Sequence, residues 1–404
     1  MLVLLAAVGQ STLFAQKGAP SPPPAAMPNY PSPVPMPGLN PDLSPLQREY
    51  DDQSMHTPEA PTKPVTIAEL EQTLAGNRKT DDGRLAAILS GLSLTERANR
   101  ARVARWNAEF AGSHTREALR VIADASAFLA LPAEDTSAKP PPSPAEQHQM
   151  LIAVGLYLGN ILPALPNFRA TRATTYYQDR PPREWTLSTD PAMAEPLRNR
   201  PLHVLSTSRT QVAYVGGQEV MEKKEGFEGS KGDSSRFTTA GEFGAIIYGV
   251  MMDANQSNLA WGRWEPGPHG DLAVFQFDAV KEKSHFSFRA PGSAQSQFLA
   301  YHGEFTIDPA NGSIVRLTVT AHPHSGSGTE EADIDVEYDS VEIGQRTYVC
   351  PVHAIALAKV SMAAKTNKDK KAAPLQTEIN DVDFVQYHVF RGDSRILRGS
   401  TTQP

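Results

Sequence analysis

Residues 298–352 constrain the fold more than any other stretch, because their side chains alternate with a period of two through successive runs. Phe305 and Ile307 alternate on one run, and Val315, Leu317 and Val319 repeat the period on the next. Between them stands Asp308-Pro309-Ala310-Asn311-Gly312, in which proline fixes φ and Asn-Gly accepts positive φ, so the chain can reverse there. Ile334, Val336 and Tyr338 then alternate with Asp333, Asp335 and Glu337, and Gly344-Gln345 separates them from residues 348–352. This is the pattern of antiparallel hairpins with one apolar and one wet face. It predicts an α+β fold in which a helical N-terminal domain is followed by a curved antiparallel β-sheet packed on helices, in the manner of a half-barrel.

The rest of the chain divides by composition. Residues 1–15 are apolar for about the length of a signal-peptide core and end in Ala15, so they read as an export signal. They are too short for a hydrocarbon core of about 30 Å. Residues 16–64 hold 14 of the 34 prolines with little to bury, which predicts a disordered Pro-rich leader. Residues 65–131 turn helical: Thr66 with Glu69 and Ser93 with Glu96 are capping-box pairs, and Ser113 begins a further helix. Residues 132–143 contain Lys139-Pro140-Pro141-Pro142, a stiff linker. Residues 144–398 are read as a helix plus antiparallel sheet domain, opened by the cap Ser143-Pro144-Ala145-Glu146 and a strongly apolar helix. Residues 242–254 read as a second apolar helix, inserted between strands, and VAYVGGQEVM as a hairpin on Gly216-Gly217.

Candidate chemistry is sparse. His322 and His324 stand two apart, as a two-ligand metal clip requires, but without a third ligand in sequence, so no metal is expected. Glu330, Glu331, Asp333, Asp335 and Glu337 read as the solvated face of a strand. Arg97, Arg100, Arg102 and Arg105 beside Trp106 read as a solvated helix face with the indole in the core. His285, His302, His353 and His388 fall in strand contexts, and Cys350, the single cysteine, reads as a buried thiol. Trp261 and Trp264, three apart, cannot share a side of a regular strand. No serine elbow, phosphate loop or dinucleotide fingerprint is present. The expectation is therefore a protein that is not an enzyme, without catalytic residues or cofactor. A net charge of −7, mixed along the chain, makes nucleic acid no partner.

Several phrases in order, GLSLTERANRARVARW, ALRVIADASAFL, LPNFRATRATTYY, YHGEFTIDPANGSIVRLTV, VEIGQRTYVCPV and NDVDFVQYHVFRGDSRIL, resemble a family of exported acidobacterial proteins of unknown function across residues 65–398. That resemblance implies no activity. The order of helices and strands is also similar to the half-barrel of LolA-like lipoprotein carriers, which implies a sheet whose concave face accepts acyl chains. The sequence-level expectation is an exported protein, periplasmic or extracellular, that binds or carries a hydrophobic ligand such as a lipid or lipoprotein acyl chain. The alternative is protein–protein docking or a scaffold role in the cell envelope.

Overall fold

The computed structural model describes residues 2–6, 62–161, 164–179, 201–216, 218–221, 237–239, 241–256, 258–289, 296–323, 329–361 and 375–389, and within them the period-two runs of residues 301–352 are strands. The chain divides into two units, residues 1–7 with 59–404 and residues 8–58; the second lies outside the described residues. In chain order β1 (Leu2–Ala6) and β2 (Lys63–Val65) precede α1 (Ile67–Gly76), α2 (Asp82–Ser90), β3 (Leu92–Leu94), α3 (Arg100–Glu109) and α4 (Ser113–Ala125). A 3-10 turn at Ala133–Asp135 leads to α5 (Pro144–Ile161). Next come β4 (Phe168–Asp179), β5 (Leu202–Val215), β6 (Gln218–Met221), β7 (Phe237–Thr239) and α6 (Ala245–Gln256). The remaining strands are β8 (Asn258–Gly267), β9 (Gly270–Ala279), β10 (Phe286–Arg289), β11 (Gln297–Phe298), β12 (Tyr301–Ile307), β13 (Ile314–Ala321), β14 (Thr329–Ile343), β15 (Arg346–Ser361) and β16 (Leu375–Val389).

Ten strands form one antiparallel sheet in the order β6-β5-β4-β16-β15-β14-β13-β12-β9-β8. The two hairpins expected between residues 301 and 352 are both present, with Gly312 at φ 74° and Gly344 at φ 72° in their turns. Asp308 organises the first turn by accepting from the Ala310 and Gly312 amides. Alternation then sends Phe275, Phe277, Tyr301, Phe305, Leu317, Val319, Ile334, Val336 and Val382 to one face, where they are buried against α5 and α6. Each fully buried large apolar side chain contributes about 2–3 kcal/mol. Trp261 and Trp264 depart from expectation. A bulge between Trp261 and Arg263 inserts one residue, so the two indoles meet on the same side with ring centres 4.9 Å apart. Residues 1–15 were expected to be a signal; of them residues 2–6 are described, as a strand between β10 and β7 of a small second sheet.

The helical stretch α1–α4 builds its own apolar cluster from Ile67, Leu70, Leu85, Leu89, Trp106, Leu119 and Ile122. The Thr66–Glu69 capping box is made as the sequence predicts. Ser93 and Glu96 do not form theirs: the α3 cap is Asn99, and the Glu96 carboxylate instead accepts from the Ile67 amide. Helix α4 has glycine at its N-cap, and Asp82 from α2 takes over by accepting from the His114 and Thr115 amides. The prolines of the linker dock rather than float: the Pro140 carbonyl accepts from the Trp264 indole, and Lys139 lies 3.9 Å over that ring.

The other face of the sheet is not wet. Val121, Ala127 and Phe128 pack on Tyr177, Ile355, Leu357 and Ile379, so α4 and the turn after it cover the polar face. Asp333 and Asp335, expected in solvent, are 1% and 3% exposed. Of the four arginines expected in solvent two are absorbed, Arg97 pairing with Glu265 of β8 at 2.7 Å and Arg102 with Asp135 at 2.6 Å, while Arg100 and Arg105 are exposed and Trp106 is in the core as expected.

Helix α5 lies against the first turn so closely that a Cβ on Gly312 would stand 2.4 Å from the Ala153 carbonyl carbon. With positive φ added, Gly312→Ala is expected to destabilise the protein by about 2–3 kcal/mol. Urea unfolding checks this, and a loss below about 1 kcal/mol would mean that α5 is not seated there.

Candidate functional site

Two features stand out by chemistry, one on each face of the sheet. On the polar face, α4 presents Arg120 and Asp124 four residues apart, and so on one side of the helix. Opposite them, β15 supplies His353 and β16 supplies Asp381 and Asp383, which the register places on a common face. Arg120 pairs with Asp381 at 2.5 Å and with Asp383 at 2.8 Å. His353 Nε2 lies 2.9 Å from Asp381 Oδ1 and 3.9 Å from Asp124 Oδ1. Asp124 is buried, and its Oδ2 has no hydrogen-bond partner among the described residues. Arg120 Nε lies 4.0 Å from that oxygen.

Burial acts first on every group here. It drives the Asp124 carboxyl well above the usual carboxylate range, and the neighbouring Asp381 charge adds to this. Burial opposes a charged His353, but the hydrogen bond to Asp381 and the charge of Asp124 outweigh it and bring the imidazole up to about 10. Burial would likewise raise Asp381, and the His353 and Arg120 contacts overcome it, holding that carboxyl low. The network continues along the face. Arg316 binds Asp335 at 2.7 Å and the Ala127 carbonyl at 2.8 Å, while Arg100 reaches Asp339 at 3.1 Å. One imidazole and two carboxylates, with donor atoms all within 4.8 Å of one another, are residues that can hold a metal ion.

On the opposite side lies α5. Its residues 150–161 carry no charge, and among the described residues of the helix Val154 alone is fully buried. Ile152 is 43% and Leu156 61% exposed. They share a helical stripe with Ala145, Gln149 and Gly159, at spacings of four, three, four and three. The stripe starts at a shallow depression of about 340 Å³ lined by Ala145, Glu146, Gln149, Met150 and Pro309. Glycines 155 and 159 leave open space on the same helix.

Two further buried polar groups sit within or beside the apolar core. Asp253 of α6 accepts from the His285 amide at 2.7 Å and the Tyr301 hydroxyl at 2.6 Å, and its Oδ1 lies 2.5 Å from His285 Nδ1. This fixes α6 to the sheet. Between β6 and the start of α6, Glu219 accepts from the Gly241 and Phe243 amides, and Arg172 binds Glu242 at 3.1 Å. Burial, then repulsion from Glu242, pushes Glu219 up to about 8 against the pull of Arg172.

The residues singled out from sequence are scattered. His322 is exposed and lies beside His302, ring centres 6.1 Å apart, while His324 and residues 325–328 lie outside the described residues. Glu331 binds Lys359 at 2.8 Å, and His388 is exposed. Burial pushes the Cys350 thiol up to about 12, away from thiolate chemistry. Arg120, Asp124, Asp381 and Glu219 were not singled out at all. The usable signal was Asp381 and Asp383 at a spacing of two, with Arg120 and Asp124 at a helical spacing of four. Comparison with protein-family models, curated proteins and solved structures gives no match. Among the described residues no helix is long and apolar enough to cross a membrane.

A carboxyl whose pKa is higher in the fold than in the unfolded chain takes up protons on folding. The contribution of Glu219 is therefore fully present below about 4.5 and is lost as pH rises towards 8. Glu219→Gln keeps an acceptor for both amides and is expected to remove on the order of 3 kcal/mol of the stability loss between pH 5 and 8. Urea midpoints across that range check it; an unchanged slope would mean that another group titrates.

Proposed function

We propose that this protein is a non-catalytic binding module for a hydrophobic ligand, an acyl chain of a lipid or lipoprotein, taken up along helix α5. The observation that carries the reading is the uncharged exposed stripe of α5, where Ile152 and Leu156 face solvent and, among the described residues of the helix, Val154 alone is fully buried. A helix so apolar over residues 150–161 would ordinarily be covered, and large exposed apolar side chains in line mark a contact surface. The depression lined by Ala145, Glu146, Gln149, Met150 and Pro309 gives a chain end somewhere to enter, and the stripe continues from it in one direction. A curved, half-barrel form of the sheet and a place in the cell envelope after export belong to this same reading.

A protein partner is the second reading, favoured by Gly155 and Gly159. Four residues apart with open space around them, they let another helix approach closely. The two readings separate in one experiment, native mass spectrometry of the full chain after incubation with a diacyl phospholipid and, separately, an acylated lipopeptide. Acyl adducts are expected on the wild type and about tenfold fewer on Leu156→Asp, whose side chain is exposed enough for the fold to keep its urea midpoint. A clean mass with either lipid would sink the acyl reading, and a doubled mass abolished by Leu156→Asp would put a second chain on α5.

A further inference from the structure

We propose that Asp124, His353 and Asp381 bind one divalent transition-metal ion of the zinc class, clamping helix α4 to strands β15 and β16. The donor set is one imidazole nitrogen and two carboxylates, hard and borderline ligands that suit zinc. Their ligating atoms lie within 4.8 Å of one another, with measured separations of 2.9 and 3.9 Å from His353 Nε2. Ligands held about 2.0–2.2 Å from a tetrahedral ion are roughly 3.3 Å apart, so side-chain shifts of at most about 1.5 Å close the site.

A second observation is independent of the cluster's composition. Asp124 is 4% exposed, and its Oδ2 is buried without a hydrogen bond among the described residues, 4.0 Å from Arg120 Nε. An orphaned buried carboxylate oxygen is costly, and a cation within reach satisfies it. Arg120 lies within ion-pair distance of Asp124, Asp381 and Asp383. Arg120 then serves as the outer partner that orients Asp381, as ligating carboxylates commonly require. The Asp383 side chain is 38% exposed and that of Arg120 35%, so this is the side of the cluster nearest solvent.

The test is a titration of the metal-stripped full chain with Co(II), followed by displacement with Zn(II). One equivalent should bind with micromolar affinity and give the intensified visible band of a tetrahedral cobalt site. Asp124→Asn, near-isosteric and one charge less crowded, should retain the circular dichroism of the fold and weaken binding on the order of 100-fold. X-ray absorption on the zinc-loaded wild type, which needs no variant to fold, should count one imidazole. The proposal is overturned by a free-ion cobalt spectrum, by binding that survives Asp124→Asn, or by two imidazoles at the metal, which would assign the ion to His302 and His322.

Discussion

The ion network between α4 and the polar face of the sheet is the contact on which the arrangement of layers depends. A sheet whose second face carries Asp333, Asp335, Glu337, Asp381 and Asp383 would ordinarily leave that face in water. Here a helix lies over it, and burying several carboxylates is tolerable only if each finds a cation or a donor. Arg120, Arg316 and His353 answer for Asp381, Asp383 and Asp335, while Asp124, Asp333 and Asp335 each keep one buried oxygen without a hydrogen bond among the described residues. Removing one partner from such a layer costs more than the pair contributes, because the remaining charge stays buried. The helices are thus held to the sheet by matched charges around a small apolar seam, not by a large apolar interface.

The opposite face is organised by different physics. Stacked and edge-on rings, Phe275 on Phe305 and Phe243 on Phe384 among them, fill the space between the sheet and α6. Helix α5 belongs to that face but commits little to it: Val154 inserts, Gly312 allows close approach, and the outer stripe faces away. One sheet therefore carries a charge-matched cover on one side and a lightly seated apolar helix on the other.

Much of this was legible in the sequence. Alternation with Asn-Gly and Gly-Gln punctuation located the hairpins, and Ser/Thr-x-x-Glu patterns located the starts of α1 and α5, because these signals act over a few residues. What could not be read was long-range. An acidic-apolar alternation looks the same whether the acidic side meets water or a helix, so the burial of Asp333 and Asp335 was invisible. The arginines at 97 and 102 lacked visible partners because Glu265 lies 168 residues from Arg97, and Asp135 sits in an irregular turn. The Ser93–Glu96 pattern misled because the carboxylate found a better donor in Ile67. The two tryptophans misled because one inserted residue at a bulge inverts the facing of everything after it.

The place of β16 in the sheet has a kinetic meaning. Strands β4–β6 reach the rest of the sheet through β16 alone, where for example Thr171 donates a side-chain hydrogen bond to Gln386, 215 residues away. A ribosome delivers β4 early and β16 last, so for most of synthesis β4 has an open edge with no partner. Loops of that length close slowly, and the open edge is where a nascent chain pairs wrongly or recruits a chaperone. The same strand supplies Asp381, so the moment that joins the two halves of the sheet is also the moment at which Arg120 and His353 first meet their charge.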